Sequence, residues 1–252
     1  CPTNQKMNVE AATRFVAEQM EVEFPLGVLR DRSAEAQPIV RAESDYRKET
    51  LDRMLHLDTD RAPDAQLDPA APTLNVKMAG FGGQGVLSMG VVLARAACAA
   101  GKFTSWYPSY GPEQRGGTAN CGVVISGRPV GTPMVTEADV LVAMNRPSLE
   151  KFAGEVKPDG LLLYNAAIGE VSAPAGVRVL AVPALELAKE GGNPRAANVA
   201  MVGVMAALGG LGLPDAAYRE AIAANLPGQE KIAEQNEAVF ALARRWGEKQ
   251  KP

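Results

Sequence analysis

The chain has one histidine, His56, and three cysteines, Cys1, Cys98 and Cys121. A single histidine excludes nearly every mechanism built on a His base or a His-rich metal site. Three scattered cysteines exclude a zinc ribbon, a cysteine-ligated iron–sulfur cluster and a disulfide framework within this sequence. No stretch reaches the roughly 18 consecutive apolar residues of a membrane span. The front shows no signal-peptide pattern, so a reducing cytosol is the expected compartment. A formal net charge of -3 argues against nucleic acid as the main partner. What remains is ample: 252 residues, 46% of them hydrophobic, suffice for one sizeable core and an appendage.

Charge divides the chain. Residues 1–72 carry 9 Lys/Arg and 14 Asp/Glu, whereas residues 73–252 carry 17 and 15. The acidic front can bury little of itself. Its first 32 residues read as an extended and helical tail, with Val9, Ala12, Phe15, Val16 and Met20 on one helical face. Phe24-Pro25-Leu26-Gly27-Val28 follows as an extended apolar segment. Residues 33–72 read as a charged helix, capped by Ser44, and then a linker holding Pro63, Pro69 and Pro72. The start at Cys1-Pro2-Thr3 reads as the back part of something longer.

From residue 73 the texture alternates between strand and helix signals. Strands are expected at 74–79, 103–107, 119–126, 140–144, 161–164 and 177–182. Helices are expected at 86–100, 147–152, 195–208, 215–225 and 230–246. Alternation of this kind predicts an α/β domain, a Rossmann-like and mainly parallel sheet with helices on both faces. One connection breaks the rhythm. The Gly- and Pro-rich stretch 108–118 is too short for a crossover helix, so the strands it joins are expected to be antiparallel. Cys98 and Cys121 read as core, His56 and the basic residues at 244–251 as solvated surface.

Two motifs carry chemistry. Gly80-Phe81-Gly82-Gly83-Gln84-Gly85 lies between a strand and a helix, where glycines permit close backbone approach and a helix N-terminus offers free amides to an anion. A nicotinamide site also needs an acid at the end of the second strand, and Trp106, Tyr107 and Pro108 stand there instead. Three readings stay open: NAD(P) binding, binding of another anionic group, and a purely structural turn. The second motif is the loop bearing Tyr110, Glu113, Arg115, Gly116 and Gly117. Arg115 beside two glycines suits a bidentate clamp on carboxylate or phosphate. A Glu113–Arg115 pair that only braces the loop is the competing reading. Neither motif places a base beside a nucleophile, so no catalytic residue is assigned.

Together, the glycine motif and the run Ser109-Tyr110-Gly111-Pro112-Glu113-Gln114-Arg115-Gly116-Gly117-Thr118-Ala119-Asn120-Cys121 resemble the gamma subunit of 2-oxoacid:ferredoxin oxidoreductases, from about Leu74 to Trp246. Cys1-Pro2-Thr3-Asn4 and Phe24-Pro25-Leu26-Gly27-Val28 resemble the C-terminal end of the thiamine-diphosphate-binding beta subunit of the same enzymes. The resemblance implies a part of a CoA-dependent enzyme that oxidatively decarboxylates a 2-oxoacid. It places thiamine diphosphate, Mg and the 4Fe-4S cluster on partner subunits, with alpha and beta subunits and ferredoxin as partners. It leaves to this chain assembly and a share of the CoA or active-site cleft. A freestanding NAD(P) dehydrogenase and a ligand-free scaffold are the alternatives.

Overall fold

The computed structural model describes residues 70, 72–110, 118–172, 174–226 and 229–251. The expected tail (1–32), nearly all of the expected linker (33–72), and with them Cys1 and His56, lie outside the described residues. So do Glu113, Arg115, Gly116 and Gly117.

The described residues build six strands and six α-helices. In chain order they are β1 (Leu74–Phe81), α1 (Val86–Ala99), β2 (Phe103–Tyr110), β3 (Thr118–Ser126), β4 (Ala138–Ala143), α2 (Arg146–Phe152), β5 (Val156–Asn165), β6 (Arg178–Val182), α3 (Ala184–Glu190), α4 (Ala197–Leu208), α5 (Asp215–Ala224) and α6 (Glu230–Glu248). They form one sheet in the order β2-β3-β1-β4-β5-β6. β4 is parallel to β1, β5 to β4 and β6 to β5. β3 is antiparallel to both β1 and β2, so it alone runs against the other five. The antiparallel expectation for the strands around residues 108–118 is met.

Sequence explains the layering. β1 alternates, sending Val76 and Met78 into the main core and Lys77 to the opposite face. There Lys77 pairs with Glu155, and its ammonium lies 4.8 Å from the centre of the Phe152 ring. The pair and the ring offset the cost of a buried amine. β4 and β5 are interior strands with near-continuous apolar runs, as a strand buried on both faces requires. α1 buries Val86, Met89, Leu93, Ala96 and Ala97, a stripe at helical spacing.

Helices stand on both faces, but unequally. α1, α3, α4, α5 and α6 pack into the large core, whereas α2 is the one described α-helix on the other face, over β1 and β4. The excursion after β3 lays Val135 over Gly122 and Val124. α4 is apolar nearly all round because α1, α3, α6 and β5 surround it. Among the described residues, no helix is long and apolar enough to cross a membrane.

Candidate functional site

The sheet register gathers the motifs at one end. Tyr110 pairs with Ala119, and Ala119 pairs with Gly80. Both described ends of the 108–118 connection therefore leave the sheet beside the glycine motif, on the edge where β1 and β4 also finish. From β1 the chain travels through α1 to β2 on one side, and from β4 through α2 to β5 on the other. The sheet thus has a switch point between β1 and β4, where open α/β sheets form their ligand crevice.

The glycine loop is built by close approach. A side chain at Gly80 would place its Cβ 2.7 Å from Val86 Cγ2 and 2.9 Å from Met144 Cβ. Gly85, the N-cap of α1, has φ 72°, and a Cβ there would lie 2.5 Å from Asn198 Nδ2. Only glycine meets both the backbone and the space requirement at that position. Gly83 also has positive φ (94°) and is exposed, with open space around it. Gly82 sits in the same turn, directly before Gly83. α1 begins without a side-chain cap, so its first amides remain available.

Gln84 does not simply point at a ligand. Its Oε1 accepts from the Phe81 backbone N–H at 2.7 Å and from Asn145 Nδ2 at 3.0 Å. Asn145 Oδ1 in turn accepts from Ser148 N at 2.9 Å and caps α2. Gln84 therefore bolts the loop after β1 to the turn after β4, across the switch point. Sequence reasoning missed Asn145 and Asn198. The signal for Asn145 was present, since an asparagine two residues before Pro147 is a helix start. Nothing local marked Asn198, which comes from a helix more than a hundred residues away.

Gln84→Leu should cost about 1–3 kcal/mol in urea unfolding, because two donors lose their acceptor. Gln84→Glu keeps the acceptor oxygens and should cost less. Equal losses in the two variants would show that the bolt does not work through hydrogen bonding.

The two described cysteines carry no chemistry. Cys121 is fully buried on β3, its Sγ donating to Val86 O at 3.5 Å, and burial pushes the thiol up to about 12. Gly90 on α1 leaves room for it: a Cβ there would lie 2.6 Å from both Cys121 Sγ and Trp106 Nε1. Cys98 is only half-buried, more exposed than a core reading implies, and burial raises its thiol as well. Iodoacetamide at mildly alkaline pH should leave Cys121 unmodified in the native chain and alkylate it after denaturation, read by peptide mass mapping. Native modification of Cys121 would contradict the packing described.

Among the described residues, no group of three or more His, Cys, Asp or Glu side chains could hold a metal ion. Cys98 and Cys121 are on separate elements and do not suit a cluster. No described residue set fits a metal or an iron–sulfur centre, and no step is derived through one.

Comparison with known proteins agrees with the family resemblance that the motifs carry. The family described as pyruvate ferredoxin/flavodoxin oxidoreductase matches residues 75–246. The ketoisovalerate oxidoreductase subunit VorA of Methanothermobacter marburgensis is 52% identical over 249 residues, covering 99% of this chain and 52% of the relative. The 2-oxoglutarate synthase subunit KorC of Methanothermobacter thermautotrophicus is 35% identical over 160 residues, covering 60% of this chain and 84% of the relative. This chain thus spans about half the length of VorA. Among solved structures, the keto/oxoacid ferredoxin oxidoreductase gamma subunit of Geobacter sulfurreducens is similar with a TM-score of 0.60 at 28% identity, covering 69% of this chain and 98% of that one. The 2-oxoglutarate:ferredoxin oxidoreductase of Magnetococcus marinus shares the fold with a TM-score of 0.61 at 24% identity, over 71% of this chain and 32% of that one. With a family match running from the start of β1 to the last turns of α6, the chain belongs to the pyruvate ferredoxin/flavodoxin oxidoreductase family.

Proposed function

We propose that residues 73–252 are the gamma-type part of a CoA-dependent 2-oxoacid:ferredoxin oxidoreductase. The reading rests above all on the family match across 75–246. The complex would convert a 2-oxoacid to acyl-CoA and carbon dioxide and pass electrons to ferredoxin in the cytosol. Thiamine diphosphate, Mg and the 4Fe-4S cluster belong to partner subunits on this reading, with alpha and thiamine-binding beta subunits as the partners. The alignment with VorA runs through the acidic front as well as the α/β domain, which supports reading residues 1–32 as a beta-type tail joined to a gamma-type domain. The same relative's name favours a branched-chain 2-oxoacid as substrate of the complex. Relative rates with 3-methyl-2-oxobutanoate, pyruvate and 2-oxoglutarate test that choice, and a preference for either of the latter would overturn it.

Within this frame the crevice between β1 and β4, with Gly80, Gly82, Gly83, Gln84 and Gly85 on one wall, contributes to the CoA or active-site cleft. Glycines let a ligand's anionic groups reach backbone amides, and α1 adds its positive end. Gln84 holds the wall in place. Tyr110, expected in a loop, is instead the last residue of β2 at that edge, and on this reading Glu113, Arg115, Gly116 and Gly117 supply the clamp.

In the assembled complex, Arg115→Ala should raise the KM for CoA about tenfold or more, the size of a lost charge-assisted hydrogen bond. An unchanged KM with intact assembly makes the loop a brace and removes the clamp. The dehydrogenase alternative is disfavoured, since β2 contains no acidic residue to hold a ribose. Calorimetric titration with NAD(H) and NADP(H) decides it: heat of binding at micromolar affinity would revive that alternative.

A further inference from the structure

The turn after β4 faces two ways. Asn145 reaches back to Gln84 in the glycine loop, at 3.0 Å. Its neighbour Arg146 reaches forward, to the loop that follows β5. There Arg146 Nη2 donates to Ile168 O at 2.7 Å and to Glu170 O at 3.2 Å. β4 and β5 are adjacent and parallel, with Ala143 beside Tyr164, so this loop leaves the sheet next to the crevice wall. Two consecutive residues thus join three loops at the carboxyl edge of the strands.

The loop needs this outside hold. Asn165 Oδ1 accepts from Ala167 N at 3.2 Å and Gly169 N donates to Ala166 O at 3.0 Å, which closes one short turn. Gly169 leaves that turn with φ 82°, and both it and Glu170 are exposed. Ile168 and Val171 are only half-buried. Among the described residues, no hydrogen bond other than those of Arg146 reaches 166–172 from another element. The guanidinium is committed to that task. Both hydrogens of Nη2 go to the two carbonyls, so neither fork that includes Nη2 is free to grip a carboxylate or phosphate bidentately. Nη1 lies 3.9 Å from Glu150, and both side chains are exposed, so that pair contributes little.

From this geometry we infer that Arg146 is a positioning residue of the proposed cleft, fixing the loop at 166–170 as a continuation of the wall that Gln84 and Asn145 begin. The inference deepens the function proposed above and rests on it. A wall loop set before the ligand arrives spares the ligand the entropy of ordering it. Losing the hold therefore weakens ligand binding more than it slows chemistry. The bonds also have a chemical signature. They come from one nitrogen, and a lysine ammonium likewise offers its donors from one nitrogen. Lysine can therefore replace Arg146 here, whereas it fails wherever arginine works through its planar fork.

The test compares Arg146→Met and Arg146→Lys with the native chain. Hydrogen exchange of the full chain reads the hold directly. Amides at 167–171 should exchange about threefold faster or more in Arg146→Met, and at near-native rates in Arg146→Lys. In the assembled complex, Arg146→Met should raise the apparent KM for CoA about fivefold with kcat within about twofold, and Arg146→Lys should restore it. Unchanged exchange in Arg146→Met overturns the hold, whatever the complex does. Faster exchange with a native KM for CoA overturns the loop's place in the cleft. A loss in Arg146→Lys as large as in Arg146→Met shows that the planar fork is used and overturns the positioning role. A native complex without CoA-dependent activity overturns the proposed function instead, and the cleft role falls with it while exchange still decides the hold.

Discussion

Gly80→Ala should destabilise the domain by about 1–3 kcal/mol, the usual cost of forcing a methyl group into a packed interior. The new carbon would lie 2.7 Å from Val86 Cγ2, 2.8 Å from Gln84 Oε1 and 2.9 Å from Met144 Cβ. The Gln84 amide can swing away, but Met144 Cβ is fixed to the backbone at the end of β4. Relief therefore requires separating the loop after β1 from the turn after β4, which are the two walls of the crevice. Thermal unfolding should move down by roughly 2–12 °C, at 2–4 °C per kcal/mol for a domain of this size. In the assembled enzyme the apparent KM for CoA should rise with it. A variant with wild-type melting temperature and unaltered kinetics would mean that the crevice walls are not held by this contact.

Phe240→Ala should cost more, about 3–5 kcal/mol, because a large buried ring is removed and its neighbours can only partly collapse. Phe240 is fully buried on α6, and its ring centre lies 5.6 Å from that of Tyr218 on α5. α6 has nowhere to move inward: Gly203 on α4 already meets the Phe240 carbonyl so closely that a Cβ there would sit 2.7 Å from it. The hole stays open, which is the condition for a large loss. Urea denaturation should show the midpoint falling with an unchanged slope. A loss below ~1 kcal/mol would show that α5 and α6 are not a packed unit.

The strength of local signals decided how much of this was legible in the sequence. β1, α1 and the glycine turn between them were clear because a strand pattern, three glycines and a helical stripe follow one another without interruption. Helix α3 was not anticipated. It has only seven residues, begins after Pro183 and has no side-chain cap, so it lacks the usual start signal. The front of β5 was also hidden, because Lys157-Pro158-Asp159-Gly160 reads as a turn. In the structure Asp159 is the only described non-glycine residue with positive φ (63°), and its N–H donates to Gly176 O at 2.8 Å. A tertiary contact keeps a turn-like sequence within a strand.

The candidate site was legible in outline and not in function. The sequence placed Gln84 in a candidate ligand-binding glycine loop, and the structure adds that its acceptor oxygen is engaged by Phe81 and Asn145. The partner that redefines it lies 61 residues away, beyond the reach of motif reading. Gly85 was marked for its conformation, but its spatial reason, the side chain of Asn198, required the fold.

The most direct test of the proposed function is an omission experiment. The chain is co-expressed with the proposed alpha and thiamine-binding partner subunits, and ferredoxin reduction by a 2-oxoacid is measured with and without the chain, and with and without CoA. A rate that requires both the chain and CoA is the expected result. Full CoA-dependent activity from the partner subunits alone would contradict it.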